Sequence, residues 1–337
     1  MVPDPVRVGC LGMGWWSDVL ADAITRSGAL QIVSCYTRSE EKRRAFAAKY
    51  GCRAAPSYEA LLEDRGIEAV INTTPNSVHL ETTRAAAEAG KHVFLDKPIA
   101  NTIADARALT EACRNAGVLL ALGYQRRRED HVRWIRARID AGEFGTLVNG
   151  EANISRDRLG KIDVTSWRYS AAGMPGGVLL QIGIHYTDVL EHLMGPVRAV
   201  TGRLAQLVLP GDNPDVASLV LEHENGALST LNASYASASE YYCMNIYGKE
   251  ASAYYDLHHG LRFLKRGSKS SSPVPCEKND TIREELEEFA AAARGKGKPE
   301  MDGEASTRSL AVLRAGIKSS REGRRVEVAE ILSDTNA

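Results

Sequence analysis

Apolar and polar positions in the first 123 residues form short apolar runs alternating with longer stretches of amphipathic spacing. That alternation is the signature of repeated strand and helix units. Strands are expected at Val6 to Leu11, Gln31 to Tyr36, Ala69 to Thr73, Val93 to Leu95 and Leu119 to Leu122. Helices are expected from about Ser17, and over Glu40 to Tyr50, Val78 to Ala89 and Ala104 to Ala116. Gly51, Gly90 and Gly117 stand where a left-handed residue ends a helix. Repeated βα units imply a parallel sheet with right-handed crossovers and helices on both faces.

The texture changes after Gly123. One helix (His131 to Ala141) and one strand (Leu147 to Ser155) precede a glycine-rich segment and a helix over Ile184 to Leu193. From Val197 to about Leu264 strands and turns follow one another. Ala217 to Leu221, Ala227 to Tyr235, Tyr242 to Tyr247 and Ala251 to Asp256 suggest an antiparallel sheet. Gly267 to Pro275 reads as a surface loop, and helices over Ile282 to Arg294 and Gly303 to Arg321 close the chain. The expected division is 1–123 and 124–337, with the final helices placed to pack back on the first part.

Composition narrows the function classes. With 42 Lys and Arg against 43 Asp and Glu, nothing points to nucleic acid or an acidic membrane as partner. No apolar run approaches the ~20 residues of a membrane helix. The opening Met1-Val2-Pro3-Asp4-Pro5 lacks a secretory pattern. Six widely spaced cysteines without a Cys-x-x-Cys pair argue against a zinc ribbon or a disulfide framework, and fit a reducing cytoplasm.

Candidate chemistry begins at Gly9-Cys10-Leu11-Gly12-Met13-Gly14-Trp15-Trp16-Ser17, between the first strand and first helix. Gly12 permits a tight turn, and Gly14 lets the backbone approach a pyrophosphate that the helix N-terminus stabilises. Ser17 replaces the third glycine of the usual pattern and is small enough for helix–sheet packing. The second strand ends in Tyr36-Thr37-Arg38-Ser39, where NAD-binding chains carry an acidic residue. Arg38 offers a multidentate donor and Thr37 and Ser39 offer hydroxyls, which favours NADP over NAD.

Gly90-Lys91-His92-Val93-Phe94-Leu95-Asp96-Lys97-Pro98 reads as a helix end, a buried strand and a lysine at the strand's carboxyl end. In an open α/β sheet that position faces the ligand crevice, so Lys97 is a candidate proton carrier. Lysine's ordinary pKa of about 10.4 is high for a base near neutrality. Partial burial and a positive nicotinamide ring would both lower it. His92, at the strand start, reads as core. Of Arg126, Arg127 and Arg128, one is expected to face the crevice and the others to be solvated.

These stretches, with Asn72-Thr73-Thr74-Pro75-Asn76-Ser77-Val78-His79, Trp167-Arg168 and Gly176-Gly177…Gln181…His185…Asp188, resemble the glucose–fructose oxidoreductase, inositol dehydrogenase and rhizopine-catabolism (Gfo/Idh/MocA) family over nearly the whole chain. The resemblance implies an N-terminal Rossmann domain and a C-terminal α/β domain with an open, mostly antiparallel sheet. It implies no metal, a homodimer or homotetramer, and NAD(P)-linked oxidation or reduction of a sugar, cyclitol or similar polyhydroxylated molecule. It places Trp15, Trp16, Thr74, Pro75, Asn76, His79, Asp96, Lys97 and Gln125 near the cofactor with Gly12, Gly14 and Arg38. His185 works with Lys97, while Asp188, Gln181, Arg168 and Trp167 line the substrate. Gln181 stands where many members carry aspartate. Two other readings stay open: a non-catalytic NADP-binding sensor, and an NAD-dependent glycosidase of the same family.

Overall fold

Strand β1 (Val6–Leu11) is buried at every position except Arg7, as a strand covered on both faces must be. It is followed by helix α1 (Trp15–Ser27), β2 (Leu30–Tyr36), α2 (Glu40–Tyr50), β3 (Arg53–Ala54) and α3 (Tyr58–Glu63). Then come β4 (Ala69–Asn72), α4 (His79–Glu88), β5 (His92–Asp96), α5 (Ile103–Asn115) and β6 (Leu120–Gly123). All pairings are parallel and the order is β3-β2-β1-β4-β5-β6, the doubly wound arrangement the βα repeats imply. This computed structural model describes residues 4–334.

The rest runs α6 (Asp130–Asp140), β7 (Leu147–Asp157), α7 (Ile184–Met194), β8 (Val197–Ala205), β9 (Val216–His223) and β10 (Leu228–Ser234). It continues β11 (Ala236–Gly248), β12 (Ala251–Asp256), β13 (Gly260–Lys265), β14 (Ser272–Val274), α8 (Thr281–Ala293), α9 (Gly303–Glu322), β15 (Val326–Glu327) and α10 (Val328–Ser333). The second sheet has the order β14-β13-β12-β11-β7-β10-β9-β8-β15. It is antiparallel except where β7 meets β10. No helix among the described residues is long and apolar enough to cross a membrane.

The chain divides into two units. The first runs to Gln125 and resumes over Asp280–Thr307; the second holds Arg126–Asn279 and the chain from Arg308. In the first, α8 completes the core: Leu286, Phe289 and Ala290 are buried with Val6, Leu20 and Ile24, and Phe289 meets Phe94 edge-on at 5.7 Å. Arg26–Asp280 at 2.8 Å and Arg294–Glu68 at 2.5 Å hold its two ends. In the second, α7 lies against β7 so closely that a Cβ on Gly150 would stand 2.3 Å from the Met194 sulfur.

Several boundaries differ from expectation. Helix α1 starts two residues before Ser17, because Gly14 in extended conformation already caps it. β3 and α3, at two and six residues, are too short for periodicity to reveal. The Gly267 to Pro275 loop contains β14. β15 and α10 follow α9, which is therefore not the last element. His92 is half-buried rather than core, and its Nδ1 accepts the Leu119 N–H at 3.0 Å.

Buried charge on α7 carries a consequence for stability. Glu191 is 13% exposed; its Oε1 accepts the Val197 N–H at 3.1 Å and lies 3.8 Å from Arg308 Nε. Burial pushes its carboxyl up from 4.5 to about 7; Asp188 adds to the rise, and the Val197 N–H, Arg308 and Arg127 oppose it. The native state therefore holds a proton that the unfolded chain releases, so stability falls as pH rises through this window. Glu191→Gln should gain on the parent progressively from pH 5 to pH 8, read as urea midpoints at each pH. A gap that stays constant with pH would show that Glu191 ionises normally.

Candidate active site

In the first unit, the turn after β1 is built around a missing side chain. Gly12 has φ +86°, and a Cβ there would lie 2.9 Å from the Thr73 carbonyl and the Thr74 nitrogen. The Gly12 N–H donates to Tyr36 O at 3.1 Å, and Thr73 Oγ1 donates to Gly12 O at 2.6 Å. The turn is thus pinned between the ends of β2 and β4. At Gly14 a Cβ would meet nothing within 4 Å, and no side chain caps α1. Open space before uncapped helical N–H groups suits an anion and fits a dinucleotide's pyrophosphate. Ser17 is buried at 4%, Trp15 is 65% exposed, and Trp16 packs against the core.

At the end of β2, Thr37 O accepts from Arg43 at 3.0 Å, and Ser39 Oγ caps α2 by accepting the Lys42 N–H at 3.4 Å. Arg38 is exposed and makes no ion pair among the described residues. Glu40 begins α2 and pairs with Arg44 at 2.6 Å. Arg43, which sequence reading passed over, lies with its guanidinium 5.4 Å from the Tyr36 ring centre.

The loops after β4 and β5 are clasped together. Asn72 Oδ1 accepts from the Thr74 N–H and hydroxyl at 3.1 and 2.7 Å. His79 is 1% exposed: its Nε2 faces Thr74 O at 2.8 Å, and its Nδ1 faces Pro98 O and Ile99 O at 3.1 and 3.2 Å. Burial holds its pKa below the ordinary histidine value, against the pull of those carbonyls. Asn76, also buried, donates to Asn101 at 3.1 Å. Both side chains therefore bond to their own chain. Lys97 follows directly on β5, half-buried, its peptide to Pro98 cis. Thr74, Pro75, Asp96 and Gln125 are half-buried.

In the second unit, Gly176 (φ +82°) and Gly177 (φ +49°) turn the chain into a widened helical turn over Leu179–Gly183. A Cβ on Gly177 would lie 2.2 Å from Pro214 O. The Ile184 N–H reaches back to Leu179 O, the π-type spacing often found at functional sites. Gln181 is half-buried, and His185, four residues on, is 8% exposed. Trp167 and Arg168 are half-buried in a single turn, the guanidinium stacked 4.6 Å from the indole centre.

Asp188 is paired within its own unit. It is 2% exposed and gripped through both oxygens by Arg127, with Nε at 3.0 Å from Oδ2. Its neighbours in sequence are not solvated either. Arg126 pairs with Glu129 at 2.9 Å, its guanidinium 5.4 and 5.1 Å from the Tyr186 and Tyr242 ring centres, and Arg128 is 5% exposed. Charge alone suggested solvent; Glu129 is three residues from Arg126, but Asp188, Tyr186 and Tyr242 are brought to these arginines only by folding.

Comparison with known proteins agrees with this architecture. The model of the oxidoreductase family with an NAD-binding Rossmann fold (GFO_IDH_MocA) matches residues 6–124, and that of the GFO/IDH/MocA C-terminal domain matches 132–254. The chain is similar to the 1,5-anhydro-D-fructose reductase of Ensifer adhaerens, 28% identical over 94% of this chain and 99% of that one. It is similar to the NADP(+) scyllo-inositol 2-dehydrogenase IolW of Bacillus subtilis (strain 168), 30% identical over 65% of this chain and 60% of that one. A crystal structure from Desulfitobacterium hafniense, provisionally assigned as an NADPH-dependent oxidoreductase, superposes with TM-score 0.94. It is 34% identical, covering 98% of this chain and 100% of that one.

Removing Arg127 would leave Asp188 buried and unpaired. Arg127→Ala should cost about 3–5 kcal/mol of unfolding free energy. Arg127→Met combined with Asp188→Leu should recover most of that loss. Denaturant unfolding of both variants checks this; a single variant within about 0.5 kcal/mol of the parent would mean the pair is not desolvated.

Proposed function

The chain belongs to the GFO/IDH/MocA oxidoreductase family, and from that premise we propose that it moves hydride between NADP and a secondary alcohol or ketone on a sugar, cyclitol or similar polyhydroxylated molecule. The observation that carries the reading is the uncapped N-terminus of α1 behind Gly12 and Gly14, built to receive a pyrophosphate. NADP is favoured over NAD because Arg38 stands exposed at the end of β2, ready for a 2′-phosphate. Similarity to the NADP-linked inositol dehydrogenase and to the Desulfitobacterium protein supports that choice. The anhydrofructose reductase and the inositol dehydrogenase support the substrate class.

A bound nicotinamide supplies or accepts the hydride; the chain's own task is the proton. Lys97 takes the hydroxyl proton during oxidation and returns it during reduction, and as a cation it steadies an alkoxide. His185 hydrogen-bonds the reacting hydroxyl. Gln181 can donate and accept hydrogen bonds but cannot take a proton or stabilise an imidazolium by charge. A lysine–aspartate–histidine relay is therefore absent from this reading, and Lys97 is the acid/base. His79 and Asn76 act one step back, holding the Pro98–Asn101 loop that follows the lysine.

Absorbance of reduced nicotinamide, followed with NADP⁺ and NAD⁺ against sugars, cyclitols and aldonates, tests the proposal. Turnover should be found with NADP⁺, and Lys97→Ala should lower kcat by about 10²–10⁴-fold. Arg38→Ala should raise the KM for NADP⁺ roughly 10- to 100-fold, the worth of charge-assisted bonds to phosphate, and leave NAD⁺ kinetics unchanged. Turnover confined to NAD⁺ would overturn the cofactor choice. Full activity in the lysine variant would overturn the acid/base assignment.

A further inference from the structure

The second unit holds a group of arginines that no part of the proton chemistry uses. Arg156 lies near the end of β7 and Arg158 just beyond it; Arg168 and Tyr169 share the turn Trp167–Tyr169; Tyr235 joins β10 to β11. The Tyr169 and Tyr235 rings meet edge-on at 5.8 Å, and the Arg158 N–H donates to Tyr235 O at 2.9 Å. A pocket is lined by Val164, Arg168, Tyr169, Gly177, Asn213 and Tyr235, among others. Tyr235 is 2% exposed and its hydroxyl has no hydrogen-bond partner among the described residues; the Asn213 Oδ1 likewise has none there, although its Nδ2 donates to Met174 O at 2.8 Å.

The charges around this pocket do not balance internally. Arg156 Nε lies 3.2 Å from Glu240 Oε1. Neither Arg158 nor Arg168 pairs with a carboxylate among the described residues, and both are half-buried. All three guanidiniums act on both phenols, lowering pKa values that burial raises. Glu240 acts on Arg158 as well as Arg156, so two guanidiniums share that carboxylate and Arg168 pairs with none among the described residues; an oxyanion is the ligand whose paired oxygens match the guanidinium fork. The pocket also communicates with the proposed reacting end. The Gln181 side chain hydrogen-bonds the Tyr169 phenol, and Gln181 sits four residues before His185.

We propose that the open mouth of this pocket, whose enclosed part holds about one water, binds an anionic substituent of the substrate, a carboxylate or phosphate carried by the polyhydroxylated molecule. Arg168 supplies charge from the lining and Arg158 adds charge from beyond it, the Tyr169 and Tyr235 hydroxyls supply neutral hydrogen bonds, and Arg156 supports from beside Glu240. The substrate is then an acidic sugar or cyclitol derivative rather than a neutral one. This deepens the dehydrogenase reading and rests on it for the word substrate, though the pocket itself does not need turnover.

Calorimetric titration of the full chain with D-glucose, D-glucuronate, D-glucose 6-phosphate and inorganic phosphate tests this without turnover. At least one anion should bind about tenfold or more tightly than glucose, and the preference should shrink as sodium chloride is raised. The tighter of the glucuronate and phosphate arms names the oxyanion. Arg158→Gln with Arg168→Gln should abolish the preference, whereas Arg168→Lys should keep part of it. Equal binding of neutral and acidic ligands by the parent, or a preference that survives the double replacement, would overturn the proposal. The parent measurement decides even if the double variant does not fold. Anion binding retained in Lys97→Ala, with no hydride transfer in the parent, would sink the dehydrogenase reading and leave the pocket standing.

Discussion

The absence of a side chain at Gly12 is the constraint from which the first unit's ligand-facing end is built. With φ at +86° and the Thr73–Thr74 backbone 2.9 Å from where a Cβ would stand, no other residue fits without moving the end of β4. That closeness lets Thr73 bond to Gly12 O. It also fixes the loop whose Thr74 carbonyl receives His79, and His79 in turn reaches the carbonyls of Pro98 and Ile99. An unbroken run of short contacts therefore links the phosphate turn to the loop that carries Lys97. Under the proposed function rigid placement matters, because a proton carrier displaced by about 1 Å loses much of its effect.

The second unit treats charge in two ways. Arg127 with Asp188 and Arg126 with Glu129 are matched ions removed from water, and each partner is expensive to lose. They hold α7 and the segment before α6 in one arrangement. Arg158 and Arg168 form no ion pair with a carboxylate among the described residues. Native interiors rarely leave cations so placed unless a ligand completes them, and for that reason the contrast points to function.

The chain alone determined the fold class, because strand and helix periodicities repeat and each βα unit can close only one way. It determined the tight glycine turn after β1, since glycine spacing between a strand and a helix has a steric reason visible in one dimension. It located Lys97 at a strand end by the same logic. Elements of two or three residues, such as β3 and β15, were beyond it, because so few positions hold no period. The tertiary structure decided which polar groups remain for a ligand. Folding bonds His79 to the Pro98 and Ile99 carbonyls and Asn76 to the Asn101 side chain, 19 to 25 residues along the chain, contacts that no local spacing shows. Asp188 finds its partner in Arg127, 61 positions earlier. Arg158, Arg168, Tyr169 and Tyr235 carry no common spacing, and only pairing of β7, β10 and β11 gathers them. Local pattern records what the backbone can form; a side chain's partner depends on distances that exist only after the chain has closed on itself.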